Sequence, residues 1–114
     1  GEAATGGGVP VVSSLSNCGY WFEDVGESVK VSVPLGSVCP GELSKAMAAV
    51  SFSRISFKLE VRFSDSMHML SMPELAYEIY PERSYYKVRE KSKRVLVFLL
   101  KSDASKQWRK LTAV

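Results

Sequence analysis

The sequence predicts an all-β domain, a sandwich of about seven antiparallel strands in two sheets. Two stretches, Val29 to Leu35 and Phe57 to Phe63, carry apolar residues at every second position, the period of a strand with one buried face. The apolar run Val95 to Leu100 is rich in Val, Leu and Phe and has the length of a strand covered on both faces. Turn residues separate these runs roughly every eight to twelve positions, as in a two-sheet sandwich.

Gly1 to Asn17 is small, polar and unpatterned, and reads as a disordered tail over 1–17 before a folded domain over 18–114. Val29, Val31, Val33 and Leu35 then alternate with Lys30, Ser32 and Pro34, so four apolar side chains share one face. Pro34 has no N–H for a ladder, so this strand ends there or lies at a sheet edge. Leu43, Ala46, Met47 and Val50 recur at helical spacing among good helix formers. That predicts one or two helical turns between Gly41 and Ala49. Val50 and Phe52 read as a short strand that leads through Ser53 and Arg54 into the next.

Phe57, Leu59, Val61 and Phe63 face one way, and Lys58, Glu60 and Arg62 the other. Ser64-Asp65-Ser66 is a turn sequence, because short polar side chains bond their own backbone. Met67 to Met72 returns as the hairpin partner, and Pro73 ends it. Leu75 to Tyr80, bounded by Pro73 and Pro81, is a loop or a single turn. Ser84 to Val88 is a strand and Arg89 to Ser92 a polar turn. Arg94 to Lys101 follows as a central strand. Lys30, Ser32, Lys58, Glu60, Arg62 and Lys87 are expected to point outward.

Composition narrows the function classes. With 114 residues, 46% hydrophobic and 24% charged, the chain is an ordinary single globular domain. Its net charge of +3, from 15 Lys and Arg against 12 Asp and Glu, is modest for a nucleic-acid binder. Cys18 and Cys39 allow one disulfide at most, and read as reduced thiols in a cytoplasmic or nuclear protein. The Gly- and Ala-rich start lacks the basic and apolar regions of a secretory signal. The longest apolar run is about a third of a membrane span, so a soluble protein with no membrane partner is expected. A chain opening on Gly rather than Met is expected to be a piece of a longer one.

Signals for chemistry are thin. His68 is the single histidine, and no motif proposes the nucleophile and carboxylate that a histidine base needs. Cys39, between Val38 and Pro40, has no basic neighbour to lower its pKa. Two cysteines and one histidine make no metal set without carboxylate help. Gly6-Gly7-Gly8 leads into Val9-Pro10 rather than a helix, so it lacks the context of a phosphate-binding loop. Met67, Met69 and Met72 fit strand and core filler better than a pliable binding surface. Tyr85-Tyr86-Lys87-Val88-Arg89 and Lys106-Gln107-Trp108-Arg109-Lys110 mix aromatics with cations, as single-strand nucleic-acid binders do. Glu82 and Glu90 interrupt the patch, so no nucleic-acid partner is expected. A protein without catalysis, metal or cofactor, working by surface docking, is what remains.

Three stretches resemble a known module. Tyr20-Trp21-Phe22-Glu23-Asp24 with Glu27 to Val33 resembles the first hairpin of CS domains. Ile79-Tyr80-Pro81-Glu82 and Ser84 to Val88 resemble their isoleucine-x-proline-glutamate loop and the strand after it. Val95 to Lys101, then Trp108 with Leu111, resembles their last strand and tryptophan-x-x-leucine close. The family holds the Sgt-type and p-twenty-three-type cochaperones, the NudC proteins and calcyclin-binding protein. The final strand and tryptophan turn look most similar to the last of these.

The resemblance implies a seven-stranded sandwich like that of small heat-shock proteins. It also implies a cochaperone role, commonly through heat-shock protein 90, or an adaptor role for ubiquitin-ligase components or cytoskeletal partners. Trp21, Phe22, Lys30, Tyr86, Lys87, Lys101 and Trp108 are the candidate contact residues, although Trp21 and Trp108 would serve equally as plugs at the ends of the sandwich. There are two departures. Tyr85 and Lys87 stand where the Sgt-type proteins carry a lysine and then a glutamate used in chaperone contact. Val38 to Ala49 is longer than the usual loop.

Overall fold

The structure is a computed structural model and describes residues 11–63 and 65–113. Its strands are β1 (Val11–Ser14), β2 (Trp21–Asp24), β3 (Ser28–Pro34), β4 (Ala48–Phe52), β5 (Phe57–Arg62), β6 (Ser66–Met72), β7 (Tyr85–Arg89) and β8 (Arg94–Leu100). They make two four-stranded sheets, ordered β1-β6-β5-β4 and β2-β3-β8-β7. All neighbours pair antiparallel except β1 and β6, which run parallel. The predicted all-β sandwich is what forms.

One core joins the sheets. Val29, Val31 and Val33 of β3 and Val95, Val97 and Leu99 of β8 are buried on one side, with Phe57, Leu59 and Val61 of β5 on the other. Each such side chain contributes roughly 1.5–3 kcal/mol by leaving water. In β3 and β5 alternation makes this possible, because one face of each strand then carries the apolar set, whereas β8 is apolar on both faces. β3 ends at Pro34 as expected, but it lies between β2 and β8 rather than at an edge. β8 is central too, between β3 and β7.

Two expectations are corrected. The tail was expected to reach Asn17, yet Val11–Ser14 is a strand and Leu15 is buried in the core. The backbone makes this strand: Leu15 N–H donates to the Met69 carbonyl at 2.7 Å, a bond that serine-rich sequence does not advertise. Residues 1–10 of that expected tail lie outside the described residues. β1 also makes eight strands among the described residues, where about seven were expected. The helical spacing of Gly41 to Ala49 yields a single turn, as expected, in 3-10 form at Lys45–Met47, before Ala48 opens β4. Pairing of Ala48 with Val61 across the ladder outweighs the local helix preference.

Leu75 to Tyr80 is a loop tied down by single bridges, Leu75 to Thr112 and Ile79 to Lys101. Leu75 and Ile79 are buried, and the loop closes one end of the sandwich. The outer faces of the two sheets are left for function.

Candidate functional site

The ladder registers decide what the β2-β3-β8-β7 sheet shows to solvent. Val31 lies opposite Phe22 and Val97, so those residues point inward, and their chain neighbours point out. One row across the outer face reads Trp21, Ser32, Leu96, Lys87. The next reads Glu23, Lys30, Phe98, Tyr85. Arg94 and Arg89 lie opposite each other at the margin.

These side chains hold one another in place. The Tyr85 ring stacks on Phe98 with centroids 4.8 Å apart and planes 14° off parallel. The Lys87 ammonium sits 5.7 Å from the centre of the same Phe98 ring. Arg94 lays its guanidinium 4.7 Å over the Trp21 ring and donates to Ser32 Oγ at 3.1 Å. Cations over aromatic faces gain from the ring quadrupole, about 0.5–1 kcal/mol at exposed sites. Lys30 faces Glu23 at 3.7 Å, a loose surface pair. Trp21 and Tyr85 remain 46% and 45% exposed, large for aromatic residues on a sheet.

Charge is concentrated here as well. The strand positions of this face hold Lys30, Lys87, Arg89 and Arg94 against Glu23 alone. That surplus equals the whole chain's net charge of +3. The other outer face carries Lys58 and Arg62 with Glu60, beside Met67, Met69 and short polar residues.

Of the seven residues expected at the surface, the structure brings Trp21, Lys30 and Lys87 together on this face. Phe22 and Tyr86 turn inward against the core. Tyr86 Oη donates to the Ala48 carbonyl at 3.1 Å and ties the two sheets together. Adjacent strand residues face opposite ways, so the pairs Trp21-Phe22 and Tyr86-Lys87 can each place one member outside. Ser32, expected outward, does lie on the outer face but is buried there beside Arg94.

Lys101 and Trp108 are corrected more firmly, since both are buried. The Lys101 ammonium bonds both Asp24 carboxylate oxygens and the Lys106 carbonyl, all at 2.8 Å. The Trp108 backbone N–H donates to Asp24 Oδ2 at 2.8 Å, and its ring packs 5.7 Å from Tyr77. With the Lys101 ammonium as the first cause and the Trp108 N–H as the second, the Asp24 carboxyl is pulled down to about 2. This corner fastens the C-terminal segment to the β2–β3 turn, where Gly26 takes φ +102° and donates to Asp24 Oδ1 at 3.0 Å. It is structural, and the end-plug role suits Trp108 while Trp21 stays on the face.

Tyr85, Phe98, Leu96 and Arg94 were missed. Tyr85 was legible, since it lies two residues from Lys87. Phe98 and Leu96 were hidden by an apolar run that shows no parity.

The chemistry-bearing residues stay apart. His68 is half-buried, edge-on to Phe63 at 5.2 Å. Cys39 is buried and its thiol donates to the Gly41 carbonyl at 3.2 Å. Burial pushes the Cys18 thiol up from its ordinary value, the reverse of what activates a thiolate. Among the described residues no group of three His, Cys, Asp or Glu is placed to hold a metal ion. No helix among them is long and apolar enough to cross a membrane.

Comparison with known proteins places the fold. No family model matches the chain, and no curated protein does. Among solved structures, the chain is similar to the CS-b5R domains of human Ncb5or in the NAD+ form, with a TM-score of 0.69 and 17% identity. The likeness covers 82% of this chain and 24% of that one. At that identity it is the fold that is shared: the chain is a CS-like β-sandwich.

Proposed function

We propose that the domain works by docking another protein on the outer face of the β2-β3-β8-β7 sheet, as a cochaperone of heat-shock protein 90. The observation that carries this reading is the cationic surplus gathered around exposed aromatic rings on one face. Aromatic residues and Arg are the types that anchor protein interfaces. Here Arg94 and Phe98 already hold the Trp21 and Tyr85 rings, so docking would freeze little side-chain freedom. The flanking cations would steer an acidic partner surface and set its orientation. The CS-like sandwich and the sequence resemblance to CS domains support the choice of partner. In this reading the chain carries no chemistry, metal or cofactor of its own, and acts in the cytoplasm or nucleus.

The test is a titration of the isotope-labelled domain with the chaperone, followed by NMR, with and without bound nucleotide. Shifts at Trp21, Tyr85, Lys87 and Phe98 are expected, and Lys87→Glu combined with Arg94→Glu should weaken them by about tenfold or more. Unchanged spectra at high chaperone concentration would reject the chaperone. Shifts at the same residues with a ubiquitin-ligase component instead would keep the face and reassign the domain as an adaptor.

A further inference from the structure

The sheet that plays no part in that reading has an unfinished edge. β6 runs from Ser66 to Met72, but β1 covers it only from Ser66 to Met69. The hairpin bond from Phe63 N–H to the Ser66 carbonyl, at 2.8 Å, sets which β6 residues bond to β5. With Phe63 and Ser66 a hydrogen-bonded pair, every second β6 residue after Ser66 bonds to β5 and the ones between turn their N–H and C=O away. Met69 is one of the latter, and its carbonyl accepts from Leu15. Ser71 is the next.

In a continued parallel ladder the Ser71 N–H would reach the Leu15 carbonyl. That carbonyl accepts from Cys18 N–H at 3.0 Å instead, where the chain turns away after β1. Ser71 is exposed, and its outward N–H and C=O are left at the rim of a cleft of about 420 Å³. Val12, Ser14, Ser16, Tyr20, Met69 and Met72 line that cleft. None of them is charged. Open edges are usually blocked by Lys, Pro or a bulge; no Lys or Arg lines this one, and Pro73, the next outward position, limits the opening to Ser71.

We propose that the β6 edge at Ser71 takes an extended, uncharged segment of a partner protein, added as a short strand beside β1. Main-chain bonds to Ser71 would hold it, and the Tyr20–Met69–Met72 cleft would receive an apolar side chain. The uncharged lining argues for such a segment over an acidic one, because a carboxylate there would lose water with no cation to meet it. The site is separate from the cationic face, so one can fail without the other.

The probe is a capped five-residue peptide of alternating valine and serine, titrated into the isotope-labelled domain. Shifts at Met69, Ser71 and the Tyr20 ring are expected, with the Ser71 amide exchanging about tenfold more slowly when the peptide saturates. Ser71→Pro, which removes the donor, should abolish the shifts, and Ser71→Ala should keep them. Shifts that persist unchanged in Ser71→Pro would overturn the proposal, as would none at millimolar peptide. If Ser71→Pro fails to fold, exchange in the unaltered chain decides. A Ser71 amide already protected without peptide refutes an open edge, and protection that rises with protein concentration assigns the edge to a second copy instead.

Discussion

Inside the sandwich the two sheets are equivalent: Val29, Val31 and Val33 share one cluster with Phe57, Leu59 and Val61, and all six are buried. Outside they differ. The β2-β3-β8-β7 sheet presents Trp21, Tyr85 and Phe98 among four cations. The β1-β6-β5-β4 sheet presents Lys58, Glu60 and Arg62 beside serines and methionines. Inward positions are selected for burial, and any apolar residue of the right volume satisfies them. Outward positions are free of that demand, so rings and cations gathered there call for another explanation.

The largest effects should fall on the shared interior and ignore which sheet is hit. Leu59→Ala and Leu99→Ala, one from each sheet, remove side chains of no measurable exposure. Each should cost about 3 kcal/mol in urea unfolding. A cost confined to one of them would break the equivalence and point to two separate cores.

Next comes the corner where Lys101 is buried against Asp24. Asp24→Asn keeps the size but strips the charge, and should cost about 2 kcal/mol at neutral pH. The sign of the pH dependence follows from the lowered carboxyl, near 2 in the folded chain against about 3.9 unfolded. Because the unfolded chain takes up this proton first, the stabilisation is complete above about pH 4 and lost as pH falls through about 2. The gap between the native chain and Asp24→Asn should therefore be flat above about pH 4 and close below it. A gap that persisted unchanged well below about pH 2 would assign the cost to shape rather than charge.

How far sequence reaches is visible in these same residues. Alternation placed Val29 to Leu35 and Phe57 to Phe63 correctly, because one face buried and one wet leaves a period-two mark. It failed at β1, where a four-residue parallel strand is held by backbone bonds that leave no mark on side-chain type. It failed again on β8, where Leu96 and Phe98 face outward yet are as apolar as Val95 and Val97. Lys101 misled for another reason. A lysine reads as surface until a carboxylate 77 residues away is brought to it, and only the fold does that. The face was thus legible in Trp21, Lys30 and Lys87, and illegible in the rings between them.

A smaller effect tests whether those rings matter to folding. Tyr85→Ala removes one half of the stack on Phe98 and should cost about 1 kcal/mol. A much larger loss would mean that Tyr85 is part of the fold's support, and would weaken its claim as a docking anchor.

Charge reversal on the two outer faces should have the smallest effect on stability and separates them most cleanly. Lys58→Glu with Arg62→Glu changes one face, and Lys87→Glu with Arg89→Glu the other. All four residues are exposed, so each pair should move the unfolding free energy by no more than about 0.5 kcal/mol per residue. Binding is where they should part. A partner recruited by the cationic face loses steering when Lys87 and Arg89 are reversed, and its association rate falls with the salt sensitivity that screening imposes. Reversing Lys58 and Arg62 leaves that field in place. Equal losses from both pairs would mean that overall charge, rather than one face, attracts the partner, and the asymmetry between the sheets would then have no bearing on recognition.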